Sequence, residues 1–293
     1  MKILLIQENG RHNKNRHFRE CFCLQRGLTL LGHKADVWGL NHDSWPTQPN
    51  FESYDLILNL ENYQEVAGNW VPDLSNVNAI KFLWSIDAHC KGVGSYDKDF
   101  ERGNYNLLLH STKDYVVSKD RVWFPNAYDD TLIYPMNVDK KCDVGFVGNT
   151  VNREEYINFL QQKFNFKFDN FVIGEDMVKT LNSYKVSWNK NMANDINYRS
   201  FETIGCGVPL VTNYNPQYEE LGFTHGENVA MYTDLENMVQ CIESLIQNNE
   251  LREKIAINGL ELAKKHTYLE RCRLLVQIYK EYISGQSITG FKL

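Results

Sequence analysis

The sequence of 293 residues holds no apolar run near the roughly 18 residues that a membrane span requires. Its start, MKILLIQENG, turns polar after a short apolar stretch and lacks the apolar core and cleavage site of a secretion signal. A cytoplasmic chain is therefore expected, with no transmembrane segment. Proline is scarce, at seven residues, while 43% of the chain is hydrophobic and 23% charged. That balance excludes collagen, coiled coil and disorder. The seven cysteines are scattered; Cys21 and Cys23 form C-x-C, and no pair has zinc-ligand spacing. They read as buried thiols of a reducing compartment, and no metal is expected. Absent too are a G-x-x-x-x-G-K-[ST] loop, a G-x-G-x-x-G after the first strand and a G-x-S-x-G elbow. P-loop NTPases, dinucleotide dehydrogenases and serine hydrolases of the elbow type fall away with them.

A net charge of −6 argues against a general nucleic-acid coat. The charge is uneven, however. Residues 1–40 carry seven Lys or Arg against three Asp or Glu. Much of the excess lies in one loop holding Asn9, Gly10, Arg11, Lys14 and Arg16, a candidate contact for an anionic acceptor or a donor phosphate.

The chain is long enough for two domains. Lys2–Gln7 is an apolar run of the kind that both faces of a parallel sheet bury. A helix is expected over about 17–31, with Gly32 as its cap. Ala35–Leu40, Asp55–Leu60, Ala79–Ile86, Asn106–His110 and Val122–Phe124 continue as strands. Pro125–Lys141 breaks the pattern and reads as a linker. Strands then resume at Asp143–Val147, Lys185–Trp188 and Val208–Thr212, with helices at about 153–164, 197–206, 235–246, 251–265 and 269–283. Ser284–Leu293 reads as a frayed tail. Strands alternating with crossovers give an α/β fold of two doubly wound domains. The reading places them at 1–135 and 142–268, with 269–293 as a helix packing back on the first domain, plus the tail. Ligands of such sheets bind beyond the carboxyl ends of the strands, so both edges are expected to face one cleft.

The most informative segment is Asn194–Thr212, NDINYRSFETIGCGVPLVT. Arg199 and Glu202 are expected in the first turn of a helix, where Arg can fork phosphate oxygens. A carboxylate such as Glu202 can accept hydrogen bonds from a ribose diol. The plainer reading is a surface cation and an acid complementing the helix dipole. Asp87 and His89 follow a strand directly, in S-I-D-A-H-C, where a catalytic pair would act on a hydroxyl. His110 ends the next strand and is a further candidate.

These residues also carry a resemblance. R-S-F-E-T-I-G-C-G-V-P-L-V-T resembles the R-x-F-E-x-x-x-x-G-x-P segment of GT-B glycosyltransferases, most closely the spore-maturation (CgeB-like) and family 4 type. Leu31-Gly32-His33, V-W-F-P-N-A-Y-D at 122–129, F-V-G-N before Arg153, L-N-S-Y-K-V-S-W-N at 181–189 and H-T-Y-L-E-R at 266–271 are similar to family segments in the same order. The resemblance implies two Rossmann-like domains and a glycosyltransferase using a nucleotide-diphosphate sugar as co-substrate, with no cofactor. It leans towards retention at the anomeric carbon. It implies donor contacts at Glu202, Arg199, Phe201, Gly148, Asn149, Lys190 and Asn194. Family 4 enzymes usually have Glu where Asn194 stands. Asp87 and His89 become the catalytic candidates. The acceptor stays open among polysaccharide, lipid-linked and DNA acceptors. Rival readings are a non-catalytic sugar- or nucleotide-binding protein of this fold and an enzyme glycosylating modified DNA bases.

Overall fold

The computed structural model describes residues 1–62, 70–91 and 93–293. The chain forms two compact units, Met1–Pro125 with Tyr268–Lys292, and Asn126–Thr267 with Leu293. Residues 126–135, grouped with the first domain on sequence, fall in the second unit.

The first unit is built on six strands: β1 (Lys2–Ile6), β2 (Lys34–Trp38), β3 (Leu56–Leu60), β4 (Ile80–Ser85), β5 (Leu107–His110) and β6 (Arg121–Trp123). All pair in parallel, in the order β2-β1-β3-β4-β5-β6. Helices α1 (Glu20–Leu30), α2 (Ala88–Lys91), α3 (Val93–Arg102) and the last helix, α10 (Tyr268–Ile283), belong to this unit. β3 is buried along its whole length, which explains its largely apolar run, and its one polar residue, Asn59, is satisfied by Tyr105 OH at 2.6 Å. Gly32 ends α1 with a φ of 79°, a left-handed conformation that suits glycine.

The second unit repeats the plan with β7 (Cys142–Val147), β8 (Phe166–Asp169), β9 (Tyr184–Asn189), β10 (Leu210–Asn213) and β11 (Ala230–Tyr232). Their order is β11-β10-β9-β7-β8, again all parallel. The helices are α4 (Glu154–Lys163), α5 (Glu175–Asn182), α6 (Tyr198–Gly205), α7 (Pro216–Glu220), α8 (Leu235–Gln247) and α9 (Asn249–Ala263). Sequence reading missed β8, a half-buried edge strand, and β11, only three residues long. In both sheets the order reverses beside the first strand, between β1 and β3 and between β7 and β9. Loops diverge there, so each unit has its natural binding crevice at that point. Among the described residues no helix is long and apolar enough to cross a membrane.

The carboxyl-terminal tail corrects its reading as frayed. Phe291 donates its N–H to Trp123 O at 2.9 Å and sets its ring edge-on to Trp123, 5.3 Å away. Arg271, fully buried in α10, lies over the same Phe291 ring and donates to Pro125 O at 2.9 Å. Six of the seven cysteines are buried; Cys90 is exposed.

α1 and α10 meet closely at Gly27. A Cβ there would sit 2.7 Å from Cys272 Sγ and 3.2 Å from Tyr268 O. Alanine improves helix propensity by about 1 kcal/mol, but forcing apart two packed helices costs about 1–3 kcal/mol. Gly27→Ala should therefore lower the thermal midpoint rather than raise it. Calorimetric unfolding showing a stabilised variant would refute this packing.

Candidate functional site

In the second unit the crevice lies beyond the carboxyl ends of β7 and β9. The loop after β7 leads to Arg153, which precedes α4. Its side chain returns across the strand ends: Nε donates to Lys190 O at 2.9 Å and Nη1 to Asn149 Oδ1 at 3.1 Å. The guanidinium also lies 5.4 Å from the Phe146 ring centroid. Arg153 is 6% exposed, and among the described residues no carboxylate comes within ion-pair distance of it. Burial lowers its pKa, and the charge of Arg199 adds to that, against Tyr232 and Asp195. Lys190 Nζ donates to Asn152 O at 3.3 Å and lies over Tyr156. Its pKa is lowered by burial and by Arg153. Arg153 is thus coupled to both Lys190 and Arg199.

Arg199 is in the first turn of α6. Glu202 is one turn further along, a correction to the expected first-turn position. The two form an ion pair at 2.8 Å, both largely but not wholly buried. Beneath them is a buried polar knot. Tyr218 OH meets Asn191 Nδ2 at 2.8 Å, Ser200 Oγ at 2.7 Å and Thr212 Oγ1 at 3.1 Å. Asn191 N donates to Asn213 Oδ1, and Asn189 Nδ2 reaches Asn197 Oδ1 and Ser200 Oγ. This knot fixes the turn from β9 into α6.

Three other expected donor contacts have different placements. Phe201 is fully buried against Phe223 and His266, so its ring serves the core. Gly148 N–H pairs with Asp169 O at 3.2 Å, and a Cβ would meet the Phe146 ring at 2.7 Å. The Phe146 ring alone is enough to require glycine there. Asn194 is exposed, while the next residue, Asp195, is buried and acts electrostatically on Arg153. Asp195 and the Tyr218 knot were missed. The adjacent acid was a visible signal for the first; nothing local marked the second.

In the first unit the basic loop after β1 divides in two. Asn9 Nδ2 donates to Asn41 O and its Oδ1 accepts from Gly10 N; Arg16 Nε donates to Gly10 O at 3.2 Å. These three residues build the loop. Arg11 and Lys14 are exposed. At the base is an ion pair that sequence reading missed, Arg19 Nη2 to Glu8 Oε1 at 2.6 Å, both buried.

Asp87 and His89 lie together after β4, Asp87 exposed and His89 half-buried on α2. Burial lowers the His89 pKa, against the charge of Glu61. The expectation of no metal overlooked the triplet Asp97-Lys98-Asp99, a D-x-D of the kind that can hold a diphosphate through a metal; it sits on α3. There Asp97 pairs with Arg121 at 2.8 Å and Asp99 with Arg102 at 3.0 Å.

His110 is buried at the end of β5, and its pKa falls to about 4 through burial and the charge of Arg121. It is neutral at pH 7. The unfolded state, with a pKa of about 6.5, takes up the proton first on acidification. The stabilisation is thus complete above about pH 6.5 and lost as pH falls towards 4, by about 3 kcal/mol. His110→Gln should shrink the stability difference between pH 7 and pH 4 by about that amount. Urea unfolding at the two pH values measures it, and an unchanged difference would contradict the burial argument.

The comparisons with known proteins agree with this architecture. Residues 131–277 match the family model described as glycosyl transferase-like. The fold is similar to sucrose-phosphate synthase from Thermosynechococcus elongatus, with a TM-score of 0.64 at 10% identity over 98% of this chain and 100% of that one. An alpha-glucosyltransferase solved with UDP gives 0.64 at 10% identity over 97% and 99%. Anabaena Alr3699/HepE, solved with UDP and glucose, gives 0.62 at 14% identity over 97% and 99%. No curated protein matches the sequence. The chain belongs to the glycosyl transferase-like family and is a glycosyltransferase of the GT-B fold.

Proposed function

We propose that the enzyme moves a sugar from a UDP-sugar to an acceptor hydroxyl without a metal ion, with a retaining outcome and closest kinship to the spore-maturation type. The observation that carries the reading is Arg153, buried without a carboxylate partner among the described residues and coupled to Lys190 and Arg199. A buried cation without a carboxylate partner is costly, and an anion seated among Arg153, Lys190 and Arg199 relieves that cost. The diphosphate of a nucleotide sugar has the charge, and the start of α6 adds its dipole. Glu202 supplies the acceptor oxygens for the ribose. As the anomeric bond breaks, negative charge grows on the leaving diphosphate, and these fixed cations stabilise it. Similar structures holding UDP or UDP and glucose favour the uridine nucleotide.

The acceptor belongs to the first unit. Arg11 and Lys14 contact an anionic acceptor, and Asp87 and His89 orient its hydroxyl. A neutral His89 imidazole, the form that burial favours, can accept a hydrogen bond from that hydroxyl.

UDP at 100 times its dissociation constant should stabilise the protein by about 2.7 kcal/mol. Glu202→Ala should weaken UDP binding by about 10–150-fold, the worth of a charge-assisted contact. A thermal-shift titration in which neither UDP nor UDP-glucose moves the midpoint would overturn the donor assignment.

Neutralising Arg11 and Lys14 together should raise the acceptor KM and flatten its salt dependence while leaving UDP affinity unchanged. Arg16 is left in place because its side chain holds Gly10 O. Loss of UDP affinity in the double variant would move this loop to the donor.

A further inference from the structure

Glu61 follows β3 immediately, and its own N–H extends the sheet ladder to Trp84 O at 2.9 Å. Its carboxylate crosses to the next strand. One oxygen, Oε2, accepts the main-chain N–H of Ile86 at 2.7 Å and of Asp87 at 2.6 Å. Ile86 is buried, so its N–H needs a partner. Two short charge-assisted bonds to adjacent amides fix the backbone where β4 gives way to α2. The Glu61 carbonyl is tied in turn, accepting Gln7 Nε2 at 3.2 Å from the end of β1. Gln7 Oε1 accepts the Cys21 N–H of α1, and Gln7 Nε2 also donates to Glu20. The chain of bonds therefore runs from α1 through the ends of β1 and β3 to the first residues after β4. The charge of Glu61 reaches His89 and Tyr96 as well.

We infer that Glu61 is a positioning residue for glycosyl transfer, its carboxylate holding the Ile86–Asp87 backbone so that Asp87 and His89 face the acceptor hydroxyl. The inference rests on the reading of Asp87 given above. It goes beyond that reading by naming a residue that touches no substrate and acts through another. A carboxylate at this position does what the sheet itself cannot. It satisfies two consecutive N–H groups that point the same way at the end of a strand, where a ladder partner would take only one of them.

The test is a double-mutant cycle read by UDP release from UDP-glucose at saturating donor, together with amide hydrogen exchange at residues 86 and 87. Glu61→Ala should speed exchange at both amides and lower turnover by about 100-fold, the scale set by a misplacement of roughly 1 Å at a reacting group. UDP affinity should stay unchanged. Glu61→Gln keeps an oxygen that both amides can reach and should restore most of the turnover. In an Asp87→Ala background, Glu61→Ala should cost no more than about threefold, because the group it positions is gone. Equal losses in both backgrounds would overturn the inference while leaving the reading of Asp87 intact. Unchanged exchange at the two amides in Glu61→Ala would overturn it as well. Turnover that survives Asp87→Ala undiminished would overturn both.

Discussion

A parallel strand buried on both faces accepts a polar side chain in its interior only with a partner buried beside it, as Asn59 of β3 has in Tyr105 OH at 2.6 Å. An unpartnered polar group must sit beyond the ends. That constraint shapes both units of this protein. β3 is buried at every residue, and most of β1, β7 and β9 is too. The chemistry is therefore displaced to the carboxyl edges, where loops diverge between β1 and β3 and between β7 and β9. Glu8, Glu61 and Asp87 stand at one edge; Asn149, Lys190 and Arg199 stand at or just beyond the other. The fold does not choose these residues, but it leaves only these places for them.

The two edges handle charge differently. At the carboxyl edge of the first unit the buried Arg19 is neutralised internally: it meets Glu8 at 2.6 Å and Glu20 at 3.6 Å. The loop base is thus a finished structural pair, and the cations that can meet a ligand are the exposed ones. In the second unit Arg199 has Glu202, but Arg153 rests on a carbonyl, an amide oxygen and a ring face. Those contacts orient a guanidinium without cancelling its charge. Desolvation and mutual repulsion leave that edge short of an anion.

Much of this was legible in sequence, and the failures have physical causes. Short, mostly apolar runs such as KILLI and LILNL, spaced by crossovers, announced buried parallel strands. The Arg199–Glu202 pair was within reach of the sequence because the two residues and the following Gly-Cys-Gly-Val-Pro lie in one stretch of chain. Phe201 and Gly148 were assigned to the ligand because they sit inside such stretches. Adjacency in sequence does not say which way a side chain faces: one turn of α6 sends Phe201 to the core and Arg199 to the edge. β8 escaped because a half-buried edge strand shows no continuous apolar run. The tail looked frayed because its anchor, Phe291 on Trp123, is a contact between residues far apart in the chain. The Glu8–Arg19 pair and the Tyr218 knot span only 6 to 27 residues, but each joins different elements, so no helix or strand repeat marks it.

Asn194 shows how a local mismatch can be absorbed. The resembled enzymes usually carry a carboxylate there, and an exposed amide in its place suggests a lost function. Yet Asp195 is buried beside it, and its charge acts on Arg153. A carboxylate held in the protein partly offsets the repulsion among the three cations and so lowers the cost of burying Arg153. It does so from a distance beyond direct pairing, so it does not compete for the guanidinium's remaining donors. A full ion pair at Arg153 would satisfy the cation and leave nothing for a diphosphate to gain. An isolated buried Arg would bear the full cost of desolvating its charge or force the structure open. The arrangement between these limits keeps the cation oriented and short of a partner, which is the condition an anion-binding edge needs.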